Sequence, residues 1–307
     1  MTQLTAQEVL SHIQAGKSLK RSELSAIDLS GQSLDKGDFA EAYMRRANLT
    51  QASCKSADFS EATLIFATLQ SADLQGAQLV HTMLTQAHLE QANLQEINAK
   101  GAKFSGAFLA GVQGMGATLN EADLREVDGL RSQFPKASCL STAFSRASFE
   151  GANFDGADLF RSQWQNAHLL DASFVATNLE KAIFEEANLN NANLSAANAL
   201  NTDFKQATLN NGVFVKTQLD WADLSEASLV NASFQGASLF NTNLQGANLE
   251  GADFTNADLR QADFENARLQ GVCLEGCKVR QAIFTGATGL SAEQKHWLKG
   301  QQALNVE

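Results

Sequence analysis

The sequence is poor in positive charge. Its 307 residues hold 23 Lys and Arg against 34 Asp and Glu, a formal net charge of −11. That balance excludes non-specific binding to nucleic acid or to an anionic membrane, both of which need a cationic surface. No run of 18 apolar residues occurs, so no transmembrane helix is expected. The segment from Met1 to Gly16 lacks a basic stretch followed by an apolar core, and so does not read as a signal peptide. Cysteine is sparse: Cys54, Cys139, Cys273 and Cys277 are scattered through a long chain. This argues against a disulfide framework and for a reducing, cytoplasmic setting. Proline occurs once, at Pro135, and tyrosine once, at Tyr43. Catalytic signatures are missing as well. The chain has no Gly-rich phosphate loop and no G-x-S-x-G element.

What the chain does have is a repeat of five. Of the 53 positions reached by stepping five residues at a time from Leu24 to Phe284, 44 are Leu or Phe. The exceptions are Met44, Cys54, Ala99, Gly114, Gly129, Cys139, Trp164, Ala199 and Val279. Of the 53 positions lying two residues earlier, 35 are Ala. The phase does not slip from 24 to 284, which implies one continuous domain without a linker. A period of five is neither the 3.6 of an amphipathic helix nor the 2 of a half-buried strand. The chain must turn a corner about every five residues, placing one large and one small side chain inside each time. Coils that stack on one another pair their backbone groups between coils and bury a continuous core together.

The larger repeat is also legible. From Lys103 onward, Phe occupies the central position at 104, 134, 144, 149, 154, 174, 184, 204, 214, 234, 254, 264 and 284, and all but Phe149 sit on alternate pentapeptides. A three-sided coil would scramble that alternation, whereas a four-sided coil puts Phe on one pair of opposite faces. The column running 29, 49, 69 to 269 has 13 members, of which 11 are Leu. The preferred coil therefore has 20 residues.

The segment 247–264, reading Ala-Asn-Leu-Glu-Gly-Ala-Asp-Phe-Thr-Asn-Ala-Asp-Leu-Arg-Gln-Ala-Asp-Phe, resembles the pentapeptide-repeat family, whose motif is A(D/N)LXX. The resemblance covers nearly the whole chain and implies an all-β solenoid, a right-handed quadrilateral parallel β-helix. The repeats at 21–288 would make about 13 coils, roughly 60 Å long at about 4.8 Å per coil. Residues 1–20 would form a capping helix and lead-in, and 289–307 a C-terminal capping helix. Thr5-Ala6-Gln7-Glu8 reads as a capping box opening a helix over 6–15 that Gly16 closes. Ser291-Ala292-Glu293-Gln294 reads as a second, opening a helix that carries Trp297 and Leu298. Those two residues either cover the last coil or form a homodimer contact, as resemblance to the gyrase-protecting branch of the family suggests.

Residues 96–140 break the pattern most. Ala99, Gly114, Gly129 and Cys139 replace the large central residue. Because Gly114 precedes Met115, Gly129 precedes Leu130, Cys139 precedes Leu140 and Ala199 precedes Leu200, we expect the following residue to turn inward at a local bulge and fill the space. That segment is either a tolerated kink or a bulged binding surface.

Metal and cofactor chemistry find no support. His12, His81, His88, His168 and His296 do not cluster, and His88 and His168 fall four predicted coils apart. Cys273 and Cys277 lack the further ligands that a zinc site takes. The repeated Asp253, Asp258 and Asp263, and the pair Glu185-Glu186, read as solvated outward positions rather than acid/base dyads. No enzyme activity and no cofactor are expected.

Two surface features suggest recognition. Residues 151–250 hold 11 acidic and 4 basic residues, a concentration absent from either end. Acidic solenoids of the resembled family imitate DNA in a topoisomerase groove, which would make Asp158, Asp203 and Asp223 the active element. These point outward by phase, so replacing them with Lys would leave the fold intact. Arg161, Lys181, Lys205 and Lys216 interrupt that surface, and the unbroken phase leaves no room for the inserted loops of the family's quinolone-resistance proteins. The second feature is aromatic. Phe160 and Phe240 follow central leucines on one predicted column, with Trp221 adjoining, and exposed aromatics anchor partners. The leading reading is a non-catalytic scaffold that binds a protein without binding nucleic acid directly or inserting in a membrane. One alternative is a DNA-mimicking modulator of DNA gyrase or another topoisomerase. The other is an accessory protein of bacterial type VI secretion, since Glu8-Val9-Leu10, Gly16-Lys17-Ser18-Leu19 and Asp28-Leu29-Ser30-Gly31 resemble stand-alone repeat proteins found beside those systems. By the same phase, Leu189 is buried, so Leu189→Ala costs about 2–5 kcal/mol. Asn190 is outward, so Asn190→Ala costs under about 0.5 kcal/mol.

Overall fold

The structure is a computed structural model that describes residues 4–307; the first three positions of the expected lead-in lie outside the described residues. The chain divides into two compact units, Met1–Ala157 (unit 1) and Asp158–Glu307 (unit 2), each built on the same plan.

That plan is a stack of square coils. In unit 1, parallel bridges join Glu23 to Tyr43, Asp28 to Asn48, Ser33 to Ser53 and Asp38 to Asp58, one on each of four faces and all with a register of 20 residues. In unit 2 the same register joins Asp158 to Asn178, Gln163 to Ile183, His168 to Asn188 and Ser173 to Asn193. Each face contributes one bridge position rather than a longer strand, because the turn consumes most of its five residues. The central residue of a face donates its N–H to the coil ahead, as Leu29 does to Asn48 O at 2.8 Å. The outward neighbour donates to the coil behind, as Asn48 does to Ile27 O at 2.8 Å.

The corners explain the rest of the motif. The small inward residue closes each turn by donating to the carbonyl three residues earlier, as Ala47 N–H does to Met44 O at 3.0 Å. The residue two after the central one is left-handed, with φ of 57° at Arg46 and 58° at Asn191, as the third residue of a type II turn must be. Left-handed backbone costs a non-glycine residue about 1–2 kcal/mol. Against that cost, the N–H at this position bonds to the next coil, as in Asn191 to Asn210 O at 2.9 Å. Pro135 sits at the second turn position, where its fixed φ fits and where the ladder uses no N–H.

The inside is apolar and close-packed. Leu189, Leu194, Phe184 and Phe204 are fully buried, as are the small residues Ala182 and Ala187 beside them. In unit 2 rings 20 residues apart stack, with centroids 5.8 Å apart for Trp164–Phe184, 5.1 Å for Phe184–Phe204 and 4.7 Å for Phe214–Phe234. Rings ten apart meet edge to face from opposite sides, as in Phe204–Phe214 at 6.4 Å. This is the geometry that the alternating Phe columns predict. Where the small inward residue is Thr, its hydroxyl can donate to a backbone carbonyl 23 residues earlier, as Thr202 Oγ1 does to Leu179 O at 2.8 Å. Trp164 Nε1 likewise donates to Ser162 Oγ at 2.8 Å.

The expected bulge is absent, and this corrects the reading of 96–140. Met115 and Leu130 are 46% and 43% exposed, and Leu140 and Leu200 are half-buried; none replaces a central residue. The register stays at 20 through Gln113–Gln133, Thr118–Ser138 and Asp128–Ser148. The space at Gly114 is filled by the ring of Phe134, and that at Gly129 by the ring of Phe149, each from the next coil: a Cβ at either glycine would lie within 3.0 Å of ring carbons.

Helix α1 (Ala6–Gln14) and helix α2 (Ala292–Gly300) both open with the predicted capping boxes. Thr5 pairs reciprocally with Glu8, and Ser291 with Gln294. Val9 of α1 and Leu298 of α2 are fully buried. Gln294 also donates through Nε2 to Val272 O at 2.9 Å, covering a carbonyl of the last full coil. Residues 301–307, expected as part of the capping helix, instead rejoin the stack: Leu304 bridges Ile283, and Phe284 N–H donates to Leu304 O at 3.0 Å.

Candidate protein-binding site

In unit 2 one corner carries, in successive coils, Phe160, Glu180, Leu200, Asp220, Phe240 and Arg260, each just after a central residue. The adjoining left-handed position carries Arg161, Lys181, Asn201 and Trp221. Trp221 is 57% exposed and rests edge-on against Phe240 at 5.9 Å. Phe240 is half-buried, with the Arg260 guanidinium 5.7 Å from its ring centroid. Phe160 is half-buried beneath the Arg161 guanidinium at 5.0 Å and the Lys181 ammonium at 5.6 Å. The structure thus brings Trp221 and Phe240 together. Phe160 shares their corner but stands three coils from Trp221 and four from Phe240, about 14 and 19 Å by strand spacing. The backbone beneath these rings is tied down, since Asp220 Oδ1 accepts Phe240 N–H at 2.9 Å and Asp158 Oδ1 accepts Phe160 N–H at 3.2 Å.

That second bond changes the reading of the aspartates. Asp158, Asp203 and Asp223 do face outward, but they are half-buried and their Oδ1 atoms are engaged. Asp203 accepts Lys205 N–H at 2.9 Å, and Asp223 accepts Ser225 N–H at 2.9 Å together with Asn243 Nδ2 at 3.0 Å. An outward Asp or Asn bonding the N–H two residues on is an Asx turn, and it is why the motif has Asp or Asn there. A lysine has no acceptor, so Asp→Lys would break three turns. Asn190 is corrected for the same reason, since its Oδ1 accepts Asn210 N–H at 2.9 Å.

Charge pairing at such positions is strongest where arginine follows. Asp123 receives Nε and Nη2 of Arg125 at 2.8 and 2.7 Å, which holds its carboxyl below the usual carboxylate range. At Asp258 burial pushes the pKa up, but bonds from Arg260 outweigh it and leave the carboxyl low. Burial raises the Cys54 thiol to about 12.

Trp297 is half-buried and, with Leu274, Glu275, Gly276, Glu293 and Gln294, lines an open surface depression of about 380 Å³ beside α2. Leu298, the other residue singled out there, points into the core. Among the described residues no three His, Cys, Asp or Glu side chains stand together as metal ligands, and no helix is long and apolar enough to cross a membrane.

A stack of five-residue faces with an outward Asp or Asn and an inward Ala and Leu defines a repeat solenoid. The chain belongs to the family described as Pentapeptide repeats, whose profile matches residues 22–53, 52–91, 92–128, 131–162, 172–211, 217–256 and 247–286. Solved structures similar to it include a pentapeptide repeat protein from the Arabidopsis thaliana thylakoid lumen, 31% identical over 33% of this chain and 73% of that one, with a TM-score of 0.26. HetL, involved in heterocyst differentiation regulation in the cyanobacterium Nostoc sp. strain PCC 7120, is 26% identical over 92% and 96%, with a TM-score of 0.19. QnrB1, a plasmid-mediated fluoroquinolone resistance protein, is 24% identical over 66% and 86%, with a TM-score of 0.34. The comparison with curated proteins returns no significant match.

Proposed function

We propose that the chain is a non-catalytic protein-binding module that engages its partner along the corner of Phe160, Trp221 and Phe240. The observation that supports this most is Trp221, more than half exposed yet braced against Phe240. An exposed Trp costs a repeat surface solubility, and a braced one loses little side-chain freedom on binding. Flanking Arg161 and Arg260 supply the other residue type enriched at binding hot spots. Three buried cysteines and one exposed, all free thiols rather than disulfides, fit a reducing compartment.

A DNA-mimicking role draws less support, because Asp158, Asp203 and Asp223 serve turns and cations lie among them. The two readings separate with variants that respect those turns. Asp158→Asn, Asp203→Asn and Asp223→Asn together keep every Oδ1 acceptor and remove three charges. Phe160→Ala, Trp221→Ala and Phe240→Ala together remove the aromatics. Partner capture from the native cell should survive the first set and fail with the second, with little dependence on salt. Strong, salt-sensitive inhibition of gyrase supercoiling by the parent protein, lost in the Asp→Asn set, would overturn the proposal in favour of DNA mimicry.

A further inference from the structure

A second patch, in unit 1, interrupts the polar exterior. Bridges place Tyr43, Thr63 and Met83 in one outward column. That position otherwise takes mostly Asp, Asn, Ser or Thr, yet Tyr43 is 53% exposed and Met83 41%. The adjoining corner adds half-buried Ile65 and exposed Phe66, the latter with 38% of its surface open. Coils lie about 4.8 Å apart, so these side chains occupy neighbouring or next-neighbouring coils and form one apolar surface. Its rim is cationic. The guanidinium carbons of Arg45 and Arg46 lie 5.5 and 5.8 Å from the Phe66 centroid. Neither arginine forms an ion pair among the described residues, whereas nearby Lys20 and Arg21 both pair with Glu41. In a chain with net charge −11, two adjacent guanidinium groups that rest on an aromatic ring without a carboxylate partner, beside exposed aromatic and thioether side chains, are a specific combination.

We infer that this patch is a second docking surface, for an acidic segment of a partner protein that presents apolar side chains beside carboxylates. The apolar side chains cover Tyr43, Ile65 and Met83. The carboxylates take Arg45 and Arg46, which can bind them through paired N–H donors. The surface is independent of the aromatic corner of unit 2.

The test uses the full-length chain and a fluorescent 12-residue probe in which Leu alternates with Asp, read by anisotropy. Companion probes replace Asp with Lys, or Leu with Ser. The Leu/Asp probe should bind and the other two should not. Arg45→Ala with Arg46→Ala, and separately Tyr43→Ser with Met83→Thr, should each weaken binding about tenfold or more. Ser and Thr are ordinary residues at the outward position of the repeat, so thermal midpoints should not move. The Phe160→Ala, Trp221→Ala, Phe240→Ala protein should bind the probe normally, which separates this surface from the proposed function. Binding of the Ser/Asp probe equal to that of Leu/Asp, or binding unchanged by Tyr43→Ser with Met83→Thr, would overturn the inference. A dimer abolished by Tyr43→Ser would overturn it too, assigning the patch to a second copy, as would preferential binding of a single-stranded oligonucleotide.

Discussion

Gly114→Ala should destabilise the protein, although it fills a position that is large almost everywhere else along the repeat. A Cβ there would lie within 3.0 Å of Phe134 Cδ1 and Cε1, whereas carbon atoms rest at about 3.5–4.0 Å. The ring would have to retreat by more than about 0.5 Å into a core where it already stacks on Phe154 at 5.7 Å and meets Phe149 at 6.4 Å. Overpacking of this kind costs about 1–3 kcal/mol. Such a loss lowers a midpoint by about 2–4 °C per kcal/mol in a unit of this size. Phe134→Leu alone should also destabilise, by leaving a cavity. The two together should cost less than their sum, because the shorter side chain vacates what the new methyl needs. The assay is thermal or urea unfolding of the four proteins of the double-mutant cycle, with a favourable coupling of roughly 1 kcal/mol expected. Gly129 and Phe149 give an independent repeat, since a Cβ at Gly129 comes within 2.9 Å of Phe149 Cζ. A Gly114→Ala protein more stable than the parent would refute the packing and restore the inward Met115.

Other outcomes follow from the same geometry. Leu189→Ala should cost about 2–5 kcal/mol, and Asn190→Ala about 0.5–1.5 kcal/mol through loss of the Asn210 N–H bond, both by urea unfolding. Ser132 is buried with a hydroxyl that finds no partner, so Ser132→Ala should leave stability unchanged or raise it by about 1 kcal/mol, whereas Thr202→Ala, which loses a made bond, should lower it. In the native protein a thiol reagent should modify Cys273 quickly and Cys54, Cys139 and Cys277 only on unfolding, because those three are buried and the Cys54 and Cys277 thiols are raised to about 12. Stability should be level from neutral pH down to about pH 4, near the unfolded carboxylate value. It should then fall as the pH drops through the lowered folded values of Asp123 and Asp258, which Arg125 and Arg260 hold down.

Much of this fold can be read from sequence because the five-residue period repeats the same physical requirement at every corner. The 20-residue coil is legible in the alternation of Phe and Leu, since side chains that stack must recur once per coil. Both capping boxes are legible because their bonds are local. Gly114 and Gly129 mislead because the chain offers a filler one residue on, whereas in a stacked coil the neighbour of a core position lies 20 residues on, where Phe134 and Phe149 stand. Asp158 and Asn190 mislead because facing outward does not mean having no partner. For the candidate site, the sequence locates Trp221, Phe160 and Phe240 on one corner, but not the cations above the rings or the bonds below them. The Tyr43 and Met83 patch carries a sequence signal that the repeat reading passes over: two bulky apolar residues at an outward position that usually serves the turn.

The most direct test of the proposed role is site-specific photo-crosslinking in the native cell. A photoreactive phenylalanine analogue would replace Trp221, and in a control Gln165, which is half-buried on a different corner of unit 2. A discrete protein adduct should form from position 221, be missing from the control and be lost in the Phe240→Ala protein. Equal adducts from both positions, or none from 221 while partner capture persists, would contradict the proposed role.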